Sequence, residues 1–204
     1  MTSLNAIRRT LASAPVEPEP PSRSMAAVAM ALAGEPDALA LCFILRATRA
    51  SDRWSGQMAF PGGKAEAGDA SARAVAIREA REEVDLRLEH AELLGALPSV
   101  SVRPAGTLGV MQPFVFYLGA EPPPLRPHAG EVADAFWIPL PHLWDERNRG
   151  TIDWEHQGQT WRFPGIRFGG HVIWGLTHRV LTQWAEGLGR PLPTARDPMQ
   201  QRVR

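Results

Sequence analysis

Cysteine is almost absent: Cys42 is the only one in 204 residues, and it lies inside the apolar run ALALCFIL. One thiol can form neither a disulfide framework nor a Cys-based zinc site within the chain, which fits a reducing compartment. Lysine is equally scarce, with Lys64 alone, so arginine carries the positive charge. The richness in Ala, Pro and Arg reads as base-composition bias rather than chemistry. Charge of one sign is missing as well, because 22 basic residues balance 22 acidic ones. No global field recruits nucleic acid or an anionic membrane, and any polyanion must be held by a local site. No apolar run approaches the ~18 residues of a membrane span. The opening stretch MTSLNAIRRTLASAPVEPEPPSR lacks the apolar core of a secretory signal. Its basic, acid-poor start has the composition of a transit peptide, but VEPEPPSR reads as a stiff Pro-rich linker. The expectation is a cytoplasmic protein.

The length suits one domain with dressed ends. Residues 1–23 read as an N-terminal extension and linker, 24–189 as the folded domain, and 190–204 as a flexible tail. A short helix is expected over residues 4–13. SMAAVAMALAG and ALALCFILRAT read as two strands around the turn GEPD, and a short strand is expected near Gln57 to Phe60. From Asp69 to about Leu86 the period becomes helical, with Ala76, Ile77, Ala80 and Val84 as the apolar stripe and Asp69 as N-cap. AELLGALPSV, GTLGVMQPFVFYLG and EVADAFWIPL read as strands, and PLPHLWDE as a short helix. HVIWGLTHRVLTQWAEGLG reads as an amphipathic helix using Ile173, Leu176, Val180, Leu181 and Trp184. Strands dominate, with no βαβ alternation, so the fold class is α+β.

What the chain does concentrate is negative charge in IREAREEVD. At ~100° per residue, Glu79, Glu82 and Glu83 share an arc of roughly 100° beside the apolar stripe and away from the core. Like charges at this spacing repel, so the placement costs helix stability unless a cation sits among them. Hard oxygen donors converging on one place suit Mg²⁺ or Mn²⁺. Taken alone, REAREE is first a solvated charged face. The preceding PGGKAEAGD, with Gly62, Gly63 and Lys64, brings backbone close to any metal or phosphate held there. That coupling favours a site.

The segment resembles the signature of the Nudix hydrolases: a glycine, five residues, an acid, about seven residues, Arg-Glu, an apolar residue, any residue, Glu-Glu, any residue, Gly and an apolar residue. Gly63, Asp69, Arg78, Glu79, Ala80, Glu82, Glu83 and Leu86 take those places. Asp69 replaces the more frequent glutamate, and Asp85 stands where glycine is usual, tolerable because Asp accepts a left-handed backbone at a helix end. The gap from Asp69 to Arg78 holds eight residues rather than seven, which turns the acid by ~100° relative to the helix face. That gap, and GQMAFPGG (Gly56 to Gly63), resemble the coenzyme A pyrophosphatase branch. The arginines do not match fully: the branch's usual positions fall at Ala47 and Asp52, with Arg46 and Arg53 one place off. The resemblance runs from about Ser24 to Trp184.

This resemblance implies a Nudix-type α/β/α sandwich with a mixed central β-sheet, and metal-dependent hydrolysis of a diphosphate linkage. It implies Glu79, Glu82 and Glu83 as metal ligands with the Gly63 carbonyl, and Arg78 orienting the first carboxylate. The general base is a signature glutamate or an acid on a distant loop, for which Glu131 is the candidate; otherwise Glu131 is a solvated strand-edge acid. Arg46, Arg49 and Arg53 are candidates for phosphates, including the 3′-phosphate of coenzyme A, or are surface arginines. Trp54 stacks on a base or covers the core, and the core is favoured. GTLGVMQPFVF lines the pocket or packs the core. The six histidines show no metal-ligand spacing. Coenzyme A or an acyl derivative leads as substrate, followed by other nucleoside diphosphates such as ADP-ribose, a dinucleotide or a nucleotide sugar. A nucleotide-sensing protein without turnover is a separate class, against which all four of Arg78, Glu79, Glu82 and Glu83 are retained. Nucleic-acid processing is disfavoured by the zero net charge. Homodimer formation is left open.

Overall fold

The computed structural model describes residues 2–12, 22, 24–49, 54–102, 109–156, 158–193 and 201–202. In chain order it forms α1 (Leu4–Leu11), β1 (Met25–Ala33), β2 (Ala40–Arg46), β3 (Met58–Ala59), β4 (Gly62–Lys64) and α2 (Ala72–Val84). There follow β5 (Glu92–Ala96), β6 (Val100–Val102), β7 (Gly109–Tyr117), β8 (Val132–Pro139) and α3 (Leu140–Trp144). The last of these are β9 (Arg149–His156), β10 (Gln159–Phe168), β11 (His171–Trp174) and α4 (Gly175–Gly187).

β1 is the axis of the main sheet. It runs parallel to β7 over Met25 to Leu32 and antiparallel to two different strands along its other edge. Leu32 and Ala33 pair with β2, whereas Ala26, Ala27 and Val28 pair with β4. β2 therefore leaves β1 after two residue pairs, and the glycine strand takes the vacated edge. β6 and β5 pair antiparallel with successive stretches of β7, and β8 pairs antiparallel with β2, so with the parallel β1–β7 pair the sheet is mixed, as expected for the α+β class.

The period of two sorts the core into two layers. Val28, Met30, Leu32, Leu41 and Phe43 face one way, against α1 (Leu4, Ile7, Leu11), α3 and α4 (Val180, Leu181, Trp184). Ala27, Ala29, Ala31, Cys42 and Ile44 face the other way, against Val75, Ala76, Ala80 and Val84 of α2. Helices thus cover both faces, giving the α/β/α sandwich. The row of alanines facing α2 is what a close helix–sheet approach requires. α1 contributes three buried residues to the shared core, and Leu192 is also buried in it.

Two expectations change. Asp69 is not the N-cap of α2; Ser71 is, its Oγ accepting from the Ala74 N–H at 3.1 Å. The late segment is not helical from His171. Gly169 and Gly170, at φ 53° and 85°, make a two-residue hairpin turn that returns β11 along β10, and Ile173 is buried in that strand. Gly175, at φ 63°, then starts α4. β9 and β10 form a long hairpin that the sequence reading left without an element.

Candidate active site

The crossing of β4 with α2 builds one wall of a cleft of ≈ 690 Å³. Gly62 has φ 157°, and a Cβ there would strike the Ala27 carbonyl and Val28, so only glycine lets β4 lie this close. Its N–H donates to Glu83 Oε2 at 2.8 Å. A Cβ on Gly63 would meet the Glu79 carboxylate. The glycine pair is therefore the floor on which two of the helix carboxylates rest.

Arg78 organises the remainder. Its Nε and Nη2 donate to Asp69 Oδ1 and Oδ2, each at 3.1 Å, in a two-pronged pair. Nη1 donates to Glu79 Oε1 and Glu82 Oε2, each at 3.0 Å, and Nη2 also reaches the Lys64 carbonyl at 3.1 Å. Asp69 Oδ2 accepts in addition from the Glu66 N–H at 2.7 Å. With Arg78 as its main partner, Asp69 is held below the usual carboxylate range, and Arg78 is raised in turn, chiefly by Asp69. Asp69 thus braces Arg78. Asp69 itself lies before the N-cap Ser71, outside the helix, so its direction relative to the helix face is set by the turn and by its pairing with Arg78.

The three glutamates do not share one environment. Glu83 is 3% exposed and belongs to the interior, which corrects the expectation that all three point away from the core. Burial pushes its pKa up to about 8, opposed by the Gly62 N–H and reinforced by Glu79. Burial also raises Glu79, with Arg78 opposing. Glu82 is more than half exposed and is tied through Arg78. At the other end of the helix Asp85 takes the left-handed conformation (φ 57°, ψ 29°) expected where glycine is usual, its N–H donating to the Arg81 carbonyl at 3.0 Å.

Among the described residues, no three His, Cys, Asp or Glu side chains already stand converged as a metal-ligand set. Glu79 and Glu82 are both drawn to Arg78, and Glu83 to Gly62. The donor chemistry nonetheless fits a hard divalent cation. The donors are all oxygen, and burial together with neighbouring carboxylates raises both the half-buried Glu79, beside Glu82 and Glu131, and the buried Glu83, beside Glu79 and Glu131, the mark of negative charge short of a counter-ion.

The facing wall comes from the β2–β3 loop and the start of β8. Arg46, Arg49, Lys64 and Glu131 all line the cleft, as do Gly62 and Gly63. Glu131 is close enough to raise Glu79 and Glu83 electrostatically, so the structure brings it to the acidic helix. Arg49 pairs with Glu131 at 3.4 Å and donates to the Gly130 carbonyl. Arg53 lies outside the described residues. Trp54 lines the cleft instead of joining the core, and Met111 of β7 is both buried and cleft-lining. The sequence reading missed Leu176 and Thr177 at the start of α4, which also line the cleft. Gly175, read as part of a continuous helix, was the signal for that turn. His178 is buried, which lowers its pKa, and Cys42 is buried with its thiol pKa raised.

The family model described as the NUDIX domain matches residues 23–172. The human mitochondrial coenzyme A diphosphatase NUDT8 is 34% identical over 154 residues, covering 74% of this chain and 64% of its own length. The chain thus spans just under two thirds of that relative. The uncharacterized Nudix hydrolase NudL of Photorhabdus laumondii is 35% identical over 136 residues, covering 65% of this chain and 68% of its own. A solved MutT/nudix family protein from Enterococcus faecalis overlays 86% of this chain and 71% of its own, at 18% identity and a TM-score of 0.48. No helix among the described residues is long and apolar enough to cross a membrane.

Proposed function

This chain belongs to the Nudix family, and from that premise we propose that it hydrolyses the diphosphate of coenzyme A or acyl-CoA to 3′,5′-ADP and (acyl-)4′-phosphopantetheine. The observation that carries the chemistry is the acidic face of α2, in which the half-buried Glu79 and the buried Glu83 rest against a glycine strand at the wall of a cleft. The substrate rests on the likeness to a relative named as a coenzyme A diphosphatase, together with the eight-residue gap and GQMAFPGG.

Glu79, Glu82 and Glu83, with the Gly63 carbonyl, would hold Mg²⁺ or Mn²⁺, which when bound neutralises the diphosphate and acidifies a water. Arg78 orients Glu79 and Glu82 while Asp69 fixes Arg78. Glu131, from the opposite wall, takes the proton of the attacking water as general base. Arg46 and Lys64 line the cleft where the phosphates enter, and Arg53 is assigned to the same role from the sequence alone.

The test is hydrolysis with Mg²⁺ or Mn²⁺ of coenzyme A beside ADP-ribose, a dinucleotide and a nucleoside triphosphate, with products identified by mass. Release of 3′,5′-ADP and 4′-phosphopantetheine is expected. The displaced arginines at the Ala47 and Asp52 positions favour a second reading, another nucleoside diphosphate; turnover of ADP-ribose with coenzyme A untouched would establish it. No turnover of any substrate would leave a nucleotide-sensing protein.

A further inference from the structure

Glu131 has a fixed backbone and a side chain that needs holding. Its N–H donates to the His128 carbonyl at 2.9 Å, and its own carbonyl accepts from the Ala47 N–H at 2.8 Å. His128 is in turn fastened to α2, its N–H donating to the Glu83 carbonyl at 2.9 Å. A register shift between β2 and β8 falls here, Leu45 pairing with Asp134 but Arg46 with Val132. Irregularities of this kind re-aim side chains beside active sites. The Glu131 carboxylate emerges from this turn into a cleft where Glu79 and Glu83 repel it.

Arg49 opposes that repulsion. Its Nη2 contacts Glu131 Oε1 at 3.4 Å and the carbonyl of the preceding Gly130, so the guanidinium lies along the Gly130–Glu131 turn. Arg49 is itself pinned by one hydroxyl. Ser55 Oγ accepts from the Arg49 N–H and donates to the Arg49 carbonyl, both at 2.8 Å. Ser55, Arg49 and Glu131 form a brace from the β2–β3 loop to the start of β8.

We propose that Arg49 is a positioning residue that aims Glu131 into the cleft, anchored by Ser55, and not a ligand of the substrate's phosphates. This rests on Glu131 acting as the base. A glutamate that rotates freely among like charges spends little time within hydrogen-bond reach of a water. Misplacing a reacting group by 1 Å costs on the order of 10²-fold in rate. A phosphate ligand would instead present its guanidinium to the cleft without a backbone carbonyl and a carboxylate on the same nitrogen.

Steady-state kinetics of the full chain distinguishes these. The variants are Glu131→Gln, Arg49→Gln, Arg49→Lys, Ser55→Ala and the combinations of Arg49→Gln and Ser55→Ala with Glu131→Gln, on the diphosphate that turns over best. Glu131→Gln is expected to lower kcat by roughly 10²-fold or more. Arg49→Gln lowers kcat on the order of 10-fold with KM nearly unchanged, Arg49→Lys recovers part of it, and Ser55→Ala gives a smaller loss. In the Glu131→Gln background, Arg49→Gln and Ser55→Ala have almost no further effect on kcat. A rise in KM for Arg49→Gln that persists in the Glu131→Gln background overturns the proposal alone and makes Arg49 a phosphate ligand. Unchanged kcat in Glu131→Gln overturns the base assignment and the proposal with it. Ser55 does not itself line the cleft, and its hydroxyl bonds the Arg49 backbone, so Ser55→Ala keeps the test open if the arginine variants fold poorly.

Discussion

Arg78 and Arg49 look onto the same cleft from opposite walls, and each holds carboxylates, but their surroundings differ. Arg78 is 23% exposed and binds Asp69, which is 5% exposed, as well as Glu79, Glu82 and a backbone carbonyl. Arg49 and Glu131 are each nearly half exposed and meet through one nitrogen at 3.4 Å. An exposed ion pair contributes ~0–1 kcal/mol because water and salt screen it, whereas breaking a buried pair costs ~3–5 kcal/mol because an unpaired charge remains. The helix wall is thus held by interactions that also hold the fold. The opposite wall is held by interactions that can matter for geometry while adding little stability.

The largest expected effect follows from the first of these. Arg78→Ala leaves Asp69 buried without its partner and should destabilise the protein by ~3 kcal/mol in urea unfolding. A loss below ~1 kcal/mol would mean that water reaches Asp69 and that the two walls are alike. Next, Glu83→Gln or Glu82→Gln should keep the fold and lose at least ~10²-fold in turnover, equivalent to ~2.7 kcal/mol of barrier. Unchanged turnover in both would sink the metal assignment.

The burial of Glu83 has a signed consequence for stability. Its folded pKa, about 8, lies above the ordinary 4.5 of the unfolded chain. Between those values the unfolded state binds fewer protons than the folded one, so stability falls as pH rises. In the metal-free protein the midpoint of urea unfolding should decrease from about pH 5 to about pH 8, by at most ~1.4 kcal/mol per pH unit from this group. Glu83→Gln should flatten that slope. A wild-type profile already flat over the window would place Glu83 in contact with water.

Much of this was legible in the sequence, and the parts that were not share a cause. The strand alternation in MAAVAMALA and LCFIL, the helical stripe of Ala76, Ala80 and Val84, and the left-handed tolerance of Asp85 are local properties, and the structure follows them. The burial of Glu83 is not local. On a helical projection it sits at the margin of the stripe, and segments distant in sequence, among them Gly62 laid across it and the strand carrying Cys42, take it out of water. The β9–β10 hairpin was legible but unread. Ile152 and Trp154 alternate with Asp153 and Glu155, and Trp161 and Phe163 face them across the pair, with Gly158 at the turn. The β11 segment was lost to a helical reading because Ile173 happens to continue the spacing of Leu176 and Val180, and only the left-handed Gly169, Gly170 and Gly175 break it. The N-cap was misplaced by two residues for a different reason. Asp69 has the chemistry of a cap, but Arg78, nine residues later in sequence, claims it. Ser71→Ala should therefore cost ~1 kcal/mol through loss of the cap alone, with turnover nearly unchanged.

The smallest expected effect is the most discriminating for the two arginines. Because Arg49 and Glu131 are both exposed, Arg49→Gln should shift the urea midpoint by no more than the equivalent of ~1 kcal/mol, against ~3 kcal/mol for Arg78→Ala. Raising the salt concentration should shrink the Arg49 effect further, since a pair open to solvent is screened over a Debye length of ~8 Å at physiological ionic strength. The Arg78 effect should change much less, its partner Asp69 being almost wholly buried. If Arg49→Gln proved as destabilising as Arg78→Ala, the Gly130–Glu131 turn would be part of the structural framework, and a loss of kcat in that variant would carry no information about Glu131. A small, salt-sensitive stability change combined with a clear loss of kcat leaves only the aim of the carboxylate to account for the rate.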